Sequence, residues 1–270
     1  MRENIVFDDE RNGARNMNET SIQQAIDKFK QTIYSYIHHP SLLSYTGKPV
    51  LNENQLFYLL LPFFNEEQWT EEHFESAVTA AIVSTALYEH EKISEQGGIS
   101  ITQQVVVLAG DFYSGRYYEV LAHQGNFSMI RALSEAIVKR CEQQIQVYEG
   151  QLTTCNEWLH AMMTVESEHV TQFYNNYQFT QYREIAEQSL LYLRLQSELR
   201  AHETNEASLL LMRMLEQGIT IAALEQQLQE LGNRIATDIA SSSIRPMLKK
   251  LLAARIEQNK VALTPLMKEV

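Results

Sequence analysis

The chain reads as an all-α protein, a single helical bundle of about ten helices. Three observations predict this class. Apolar residues recur at steps of three and four over most of the length, helix-capping residues stand before several of those runs, and no stretch alternates convincingly as a half-buried strand would. The organising segment is Val105 to Leu121, VVVLAGDFYSGRYYEVL. Val106, Ala109, Gly110, Tyr113, Tyr117 and Leu121 fall on one helical face, and Val105, Val107, Leu108 and Phe112 make other faces apolar too. This helix is therefore expected to be surrounded by others. Glycine costs roughly 1 kcal/mol against alanine inside a helix. Gly110 thus predicts the close approach of a neighbouring helix.

In chain order, residues 1–19 are charged and aperiodic and read as a flexible tail, leaving 20–270 as one helical domain. Thr20 and Gln23 have capping-box spacing and open a helix whose buried face is Ile22, Ile26, Phe29, Ile33 and Ile37, with Pro40 ending it. A loop with Gly47 and Pro49 leads to the apolar segment Leu51–Phe64. Thr70 caps the next helix, with Glu71 and Glu72 at its positive end and Phe74, Val78, Ala81 and Thr85 facing inward. It should run to about Ile93 and stop at Gly97 and Gly98.

The central helix then covers about 102–122, followed by the turn His123-Gln124-Gly125-Asn126. A helix from Phe127 to Glu149 carries Ile130, Leu133, Ile137, Cys141, Ile145 and Tyr148 on one stripe and completes an αα-hairpin. Thr154 and Glu157 open a helix to about Phe173. Further helical patterns cover about 181–200, 205–217, 221–240 and 244–258.

A formal net charge of −12 argues against nucleic acid or an anionic membrane as the main partner. Cys141 and Cys155 have no metal-binding spacing and read as reduced thiols. The N-terminal twenty residues contain no export-type apolar run, and Leu56–Phe64, broken by Pro62, is too short to span a bilayer. The expectation is a cytoplasmic protein without a membrane span.

VLAGD followed by an aromatic pair resembles the Gly-Asp helix of trans-prenyl diphosphate synthases. The fuller run, VLAGDFYSGRYYEVL and then MIRALSEAI, resembles the component I family of heptaprenyl diphosphate synthases, small subunits of two-chain bacterial enzymes. The resemblance extends from about Ile22 to about Tyr192. It implies the isoprenoid-synthase bundle and a catalytic partner, component II, that carries Mg²⁺ and the substrates. The pair would elongate farnesyl diphosphate with isopentenyl diphosphate for the menaquinone side chain. Whether the chain also pairs with itself when alone stays open. The rival readings are a stand-alone helical module that binds a prenyl chain or another apolar ligand, and an independent enzyme with an unfamiliar metal site.

Catalytic members of that family hold Mg²⁺ with two aspartate-rich motifs, aided by an arginine pair and a lysine-threonine step. Here the aspartates are Asp8, Asp9, Asp27, Asp111 and Asp238, so a second aspartate-rich motif has no place between Asp111 and Asp238. No arginine lies between Arg15 and Arg116, and no lysine between Lys139 and Lys249. The resemblance thus implies a subunit with no catalytic residues, no metal and no cofactor of its own, inactive alone.

At the first motif's place stands Leu87-Tyr88-Glu89-His90-Glu91. Glu89 and Glu91, two apart, project in different directions on a helix. They read either as a solvated helix end with His90 as a surface or capping residue, or as a residual metal or diphosphate contact. Asp111 is either a hydrogen-bonded polar residue inside the bundle or a fixture of the helix pair at a subunit interface. The resemblance puts Gly110, Phe112, Tyr113, Arg116, Tyr117 and Tyr118 near that interface or near the tunnel that sets product length; as plain core residues the aromatics would look the same. Glu166 and His169 have Glu-x-x-His spacing, but a di-iron bundle needs two such motifs and only one is present. Arg245, Lys249, Lys250, Arg255 and Lys260 read as a solvated basic face.

Overall fold

The computed structural model describes residues 18–93, 100–206 and 208–257. Nearly all of the expected tail, the Gly97-Gly98 stop and Lys260 lie outside these residues. The described residues form α-helices throughout, with one short 3₁₀ turn at Thr180–Tyr182 and no strand. The helices are α1 (Glu19–Tyr36), α2 (Pro40–Thr46), α3 (Glu53–Leu59), α4 (Leu61–Phe64), α5 (Glu71–Glu91), α6 (Ile101–Gln124), α7 (Phe127–Glu149), α8 (Cys155–Asn176), α9 (Arg183–Glu203), α10 (Leu209–Glu216), α11 (Ile221–Ser241) and α12 (Pro246–Glu257). They group into two compact units, one of residues 1–141 and 167–186, the other of residues 142–166 and 187–270.

In the first unit, α1 buries Ile22, Ile26, Phe29 and Ile33. Its cap is Asn18, which shares a capping box with Ser21, so the helix starts two residues before the expected Thr20. An Asn side chain accepts from the N3 amide as well as a Thr does, and the earlier site wins. Thr70 caps α5 as expected, with His73 closing the box. Along α5 the buried positions run almost continuously from Ser76 to Ala86, so it is enclosed on most sides. Phe57, Tyr58, Phe64, Phe173, Tyr174 and Tyr182 fill the interior with no exposed surface. Two of the hydroxyls are satisfied internally: that of Tyr174 donates to the Tyr58 carbonyl, and that of Tyr182 accepts from the Asn65 amide at 2.6 Å.

α6 is capped by Ser100 and ends at Gly125, whose left-handed conformation (φ 69°) makes the tight turn into α7. Val106, Ala109, Gly110, Tyr113, Tyr117 and Leu121 form its buried face, as their spacing predicts. The expectation that α6 is surrounded does not hold. Val107, Leu108 and Tyr118 are 37%, 57% and 55% exposed, so its opposite face is apolar and open. The stripe expected on α7 is also displaced. Met129, Leu133, Ala136 and Arg140 are buried, whereas Ile130, Ile137 and Cys141 are half-buried and Ile145 and Tyr148 exposed. Apolar residues on α7 outnumber the positions that its own core can cover.

In the second unit, Trp158 is fully buried and donates from Nε1 to the Leu152 carbonyl at 3.1 Å. Thr154 and Glu157 form the expected reciprocal cap at the start of α8. The hydrogen bonds that Glu157 accepts from Thr153 and Thr154 pull its carboxyl down to about 2. α11 and α12 bury Leu224, Leu231, Ile235, Ile239, Leu248, Leu252 and Ile256. The basic C-terminal set is not a uniformly solvated face. Lys250 is exposed, but Arg245, Lys249 and Arg255 are half-buried, and Lys249 donates to the Ala240 carbonyl at 2.7 Å.

Candidate functional site

The last turn of α5 packs against α6, and here the residues at the first-motif position meet the Gly-Asp pair. Glu89 is only 1% exposed, on the α5 face that electrostatically senses Tyr113 of α6. Its Oε1 accepts from Lys92 Nζ at 2.5 Å, and its Oε2 is buried without a hydrogen-bond partner. Glu91 accepts from Arg140 Nη2 of α7 at 2.6 Å. The turn is mixed: Glu89 is buried, His90 is half-buried, and Glu91 and Lys92 are exposed, so the reading of a solvated helix end fails at Glu89 alone.

His90 explains Gly110. A Cβ at Gly110 would sit 2.5 Å from His90 Nε2, so the glycine makes room for an imidazole lying across α6. That imidazole is 3.6 Å from Asp111 Oδ1. Asp111 itself is 66% exposed, which corrects its reading as a residue inside the bundle. One residue along from the buried Gly110, it is rotated about 100° toward the open face.

The remaining members of the cluster divide by face. Tyr113 is fully buried with its hydroxyl unpartnered, and burial, then the nearby Glu89 charge, pushes that hydroxyl up to about 12. Tyr117 is buried as well, whereas Tyr118 is open. Phe112 is half-buried against His39 at the N-terminus of α2, ring centres 5.2 Å apart. Arg116 donates to the Tyr36 carbonyl at 2.9 Å and pairs with Glu119. Asp111 and Tyr118 therefore share the open face with Val107, Leu108 and Gly115.

A Mg²⁺ cluster does not fit these residues. Glu89 and Glu91 are each claimed by a resident cation, and among the described residues no group of three histidine, cysteine or carboxylate side chains is placed to hold a metal ion. Glu166 and His169 do not make a metal site either. Glu166 pairs with Arg194 at 2.7 Å, and His169 is buried in the first unit with neither ring nitrogen hydrogen-bonded.

The profile of the heptaprenyl diphosphate synthase subunit 1 family matches residues 39–242. The chain belongs to this family. It is 33% identical over 137 residues to heptaprenyl diphosphate synthase component 1 of Geobacillus stearothermophilus, a match covering 51% of this chain and 62% of that protein. Among solved structures it is similar to a decaprenyl diphosphate synthase from Rhodobacter capsulatus, with a TM-score of 0.64 at 13% identity over 89% of this chain and 97% of that one. It is also similar to heptaprenyl diphosphate synthase from Staphylococcus aureus, with a TM-score of 0.62 at 14% identity over 90% and 98% of the two chains. At such identities the likeness establishes the all-α isoprenoid-synthase fold. No helix among the described residues of this subunit 1 chain is long and apolar enough to cross a membrane.

One residue of this site was missed by sequence reasoning, Arg140. Arg140 carried a readable signal, because it stands in helical phase with Met129, Leu133 and Ala136.

Proposed function

We propose that this chain is the non-catalytic small subunit of a two-chain heptaprenyl diphosphate synthase. In this reading a cytoplasmic component II supplies the aspartate-rich motifs, the Mg²⁺ and the substrates. The pair elongates farnesyl diphosphate with isopentenyl diphosphate toward the menaquinone side chain. The observation that carries it is the use of the first-motif acids: Glu89 is bound to Lys92 and Glu91 to Arg140, leaving no convergent carboxylates for a diphosphate-bound metal. The interior of the first unit, filled by Tyr58, Phe64, Phe173 and Tyr174, speaks against a prenyl chain lodged there alone.

The open face of α6 is the surface offered to component II. Leu108, Val107 and Tyr118 supply apolar anchors and Asp111 a charge. Gly115 lies on the same face and a Cβ there would meet nothing within 4 Å, so no contact within the chain accounts for it. A glycine in mid-helix costs about 1 kcal/mol, and close approach of a partner helix is a sufficient reason to keep it. The full set Gly110, Asp111, Phe112, Tyr113, Arg116, Tyr117 and Tyr118 then has two roles. Asp111 and Tyr118 touch the partner, and the rest hold α6 in shape behind them.

Prenyl transfer with labelled isopentenyl diphosphate, farnesyl diphosphate and Mg²⁺ tests the reading in three arms: this chain, component II, and an equimolar mixture. Heptaprenyl product in the mixture alone is expected. Full activity of component II, unaltered by this chain, would remove the proposal.

A further inference from the structure

The acid on the open face of α6 has a counter-charge within reach, and that counter-charge belongs to this chain. The Asp111 carboxylate is 66% exposed and lies 3.6 Å from Nε2 of His90, its one ion-pair partner among the described residues. His90 comes from the last turn of α5, with its ring laid across α6 at Gly110, where a Cβ would stand 2.5 Å from Nε2. A glycine is thus spent on keeping the imidazole beside Asp111.

The other charges at this end of α5 are matched. Glu89 binds Lys92, and Glu91 binds Arg140 of α7. On α6, Tyr113 keeps its proton, its hydroxyl being pushed up to about 12 by burial and then by Glu89. Arg116, the cation nearest to Asp111 along α6, donates to the Tyr36 carbonyl and pairs with Glu119. The residues that share the open face with Asp111 are Val107, Leu108, Gly115 and Tyr118, none of them charged. In the free chain water screens the His90–Asp111 pair. A chain docked on that face removes the water, and a carboxylate taken out of water needs a counter-charge. The attraction of an imidazolium for a carboxylate also grows as the dielectric around them falls, so covering the face favours the protonated ring.

We propose that component II covers this face with an apolar patch that brings no cation to Asp111, and that His90 supplies the counter-charge by taking up a proton as the two chains join. The inference rests on the reading that α6 is the face offered to component II. The complex holds the proton more tightly than the free chain does. Association therefore strengthens as pH falls through the range in which imidazoles titrate, by at most about tenfold per pH unit. A partner that set its own lysine or arginine against Asp111 would leave His90 no reason to charge.

The test is calorimetric titration of component II into the full chain at pH 7 in phosphate and in Tris, whose ionisation heats differ, with the dissociation constant followed from pH 8 to pH 6. Net proton uptake is expected, with affinity rising by roughly tenfold across that range. Component II titrates too, so the readout is the difference between the wild-type chain and its variants. Asp111→Asn is an exposed, isosteric change whose amide needs no counter-charge. It should lose the uptake and bind at pH 8 at least as tightly as wild type. His90→Gln should also lose the uptake and bind more weakly than wild type at pH 6; if it does not fold, Asp111→Asn decides. Uptake unaltered in a folded variant would overturn the inference. So would Asp111→Asn weakening binding equally at every pH, the mark of a cation on component II. Either result leaves the α6 docking face standing, whereas no binding of component II at any pH removes that reading and this inference together.

Discussion

Gly110 and Gly115 lie five residues apart on α6 and offer a matched pair of substitutions. Replacing either by alanine removes the same helix penalty, worth about 1 kcal/mol. At Gly115 the new methyl meets nothing within 4 Å. Gly115→Ala should therefore stabilise the isolated chain by nearly that full amount, a rise of about 2–3 °C in melting midpoint for a chain of this size. At Gly110 the methyl would stand 2.5, 2.6 and 2.8 Å from three atoms of the His90 ring. Overpacking of this kind costs roughly 1–3 kcal/mol, because the ring must leave its position against α6. The gain is then cancelled or reversed, and Gly110→Ala should be neutral to about 2 kcal/mol destabilising. In a His90→Ala background the obstruction is gone, and Gly110→Ala should regain about 1 kcal/mol. Urea unfolding of the four members of that cycle measures the coupling. Equal stabilisation by both alanines, with no coupling to His90, would refute the account of why Gly110 is a glycine.

Other substitutions test neighbouring features. Tyr113→Phe removes a buried hydroxyl that has no partner, so stability should be unchanged or rise by up to about 1 kcal/mol, read by denaturant midpoint. Leu108→Glu, on the open face of α6, should leave the chain's own melting midpoint within about 1 °C but cut prenyl transfer in the mixture with component II, since exposed surface changes rarely exceed ±0.5 kcal/mol. His169 sets a pH dependence in dilute chloride buffer. Its folded value of about 3 lies below the unfolded 6.5, so the unfolded chain binds the extra proton between them. The contribution is complete above 6.5 and falls by up to about 1.4 kcal/mol per pH unit on acidification toward 3. Its loss in His169→Gln should flatten stability between pH 6 and 4.

The helical class was legible because it depends on period and caps, both local properties. Thr70, the Thr154–Glu157 box and the buried face of α6 fall where their spacing puts them. What periodicity cannot tell is whether an apolar position faces this chain's core or is left open. Leu108 and Ile145 have the same hydrophobicity signal as buried residues and are 57% and 54% exposed. Charged residues mislead in the other direction. Glu89 and Arg140 read as solvated by residue type, yet both are buried, because partners contributed by Lys92 and Glu91 offset part of the cost of desolvation. Those partners lie three and forty-nine residues away, and the longer separation leaves no local trace.

The rewiring of the first-motif position bears on what the fold can do. A diphosphate-bound Mg²⁺ needs carboxylates that converge on one point and keep near-octahedral order around it. Glu89 and Glu91 diverge on α5, one toward α6 and one toward α7, and each meets a cation that belongs to the chain. A guanidinium and an ammonium are permanent at neutral pH and cannot be exchanged for a substrate's metal without leaving two charges unpaired. Restoring aspartates at Glu89 and Glu91 would therefore not restore a metal site while Arg140 and Lys92 remain. Internal ion pairs occupy both acids at the end of α5, and the neighbouring helix α6 carries an apolar face that this chain leaves open.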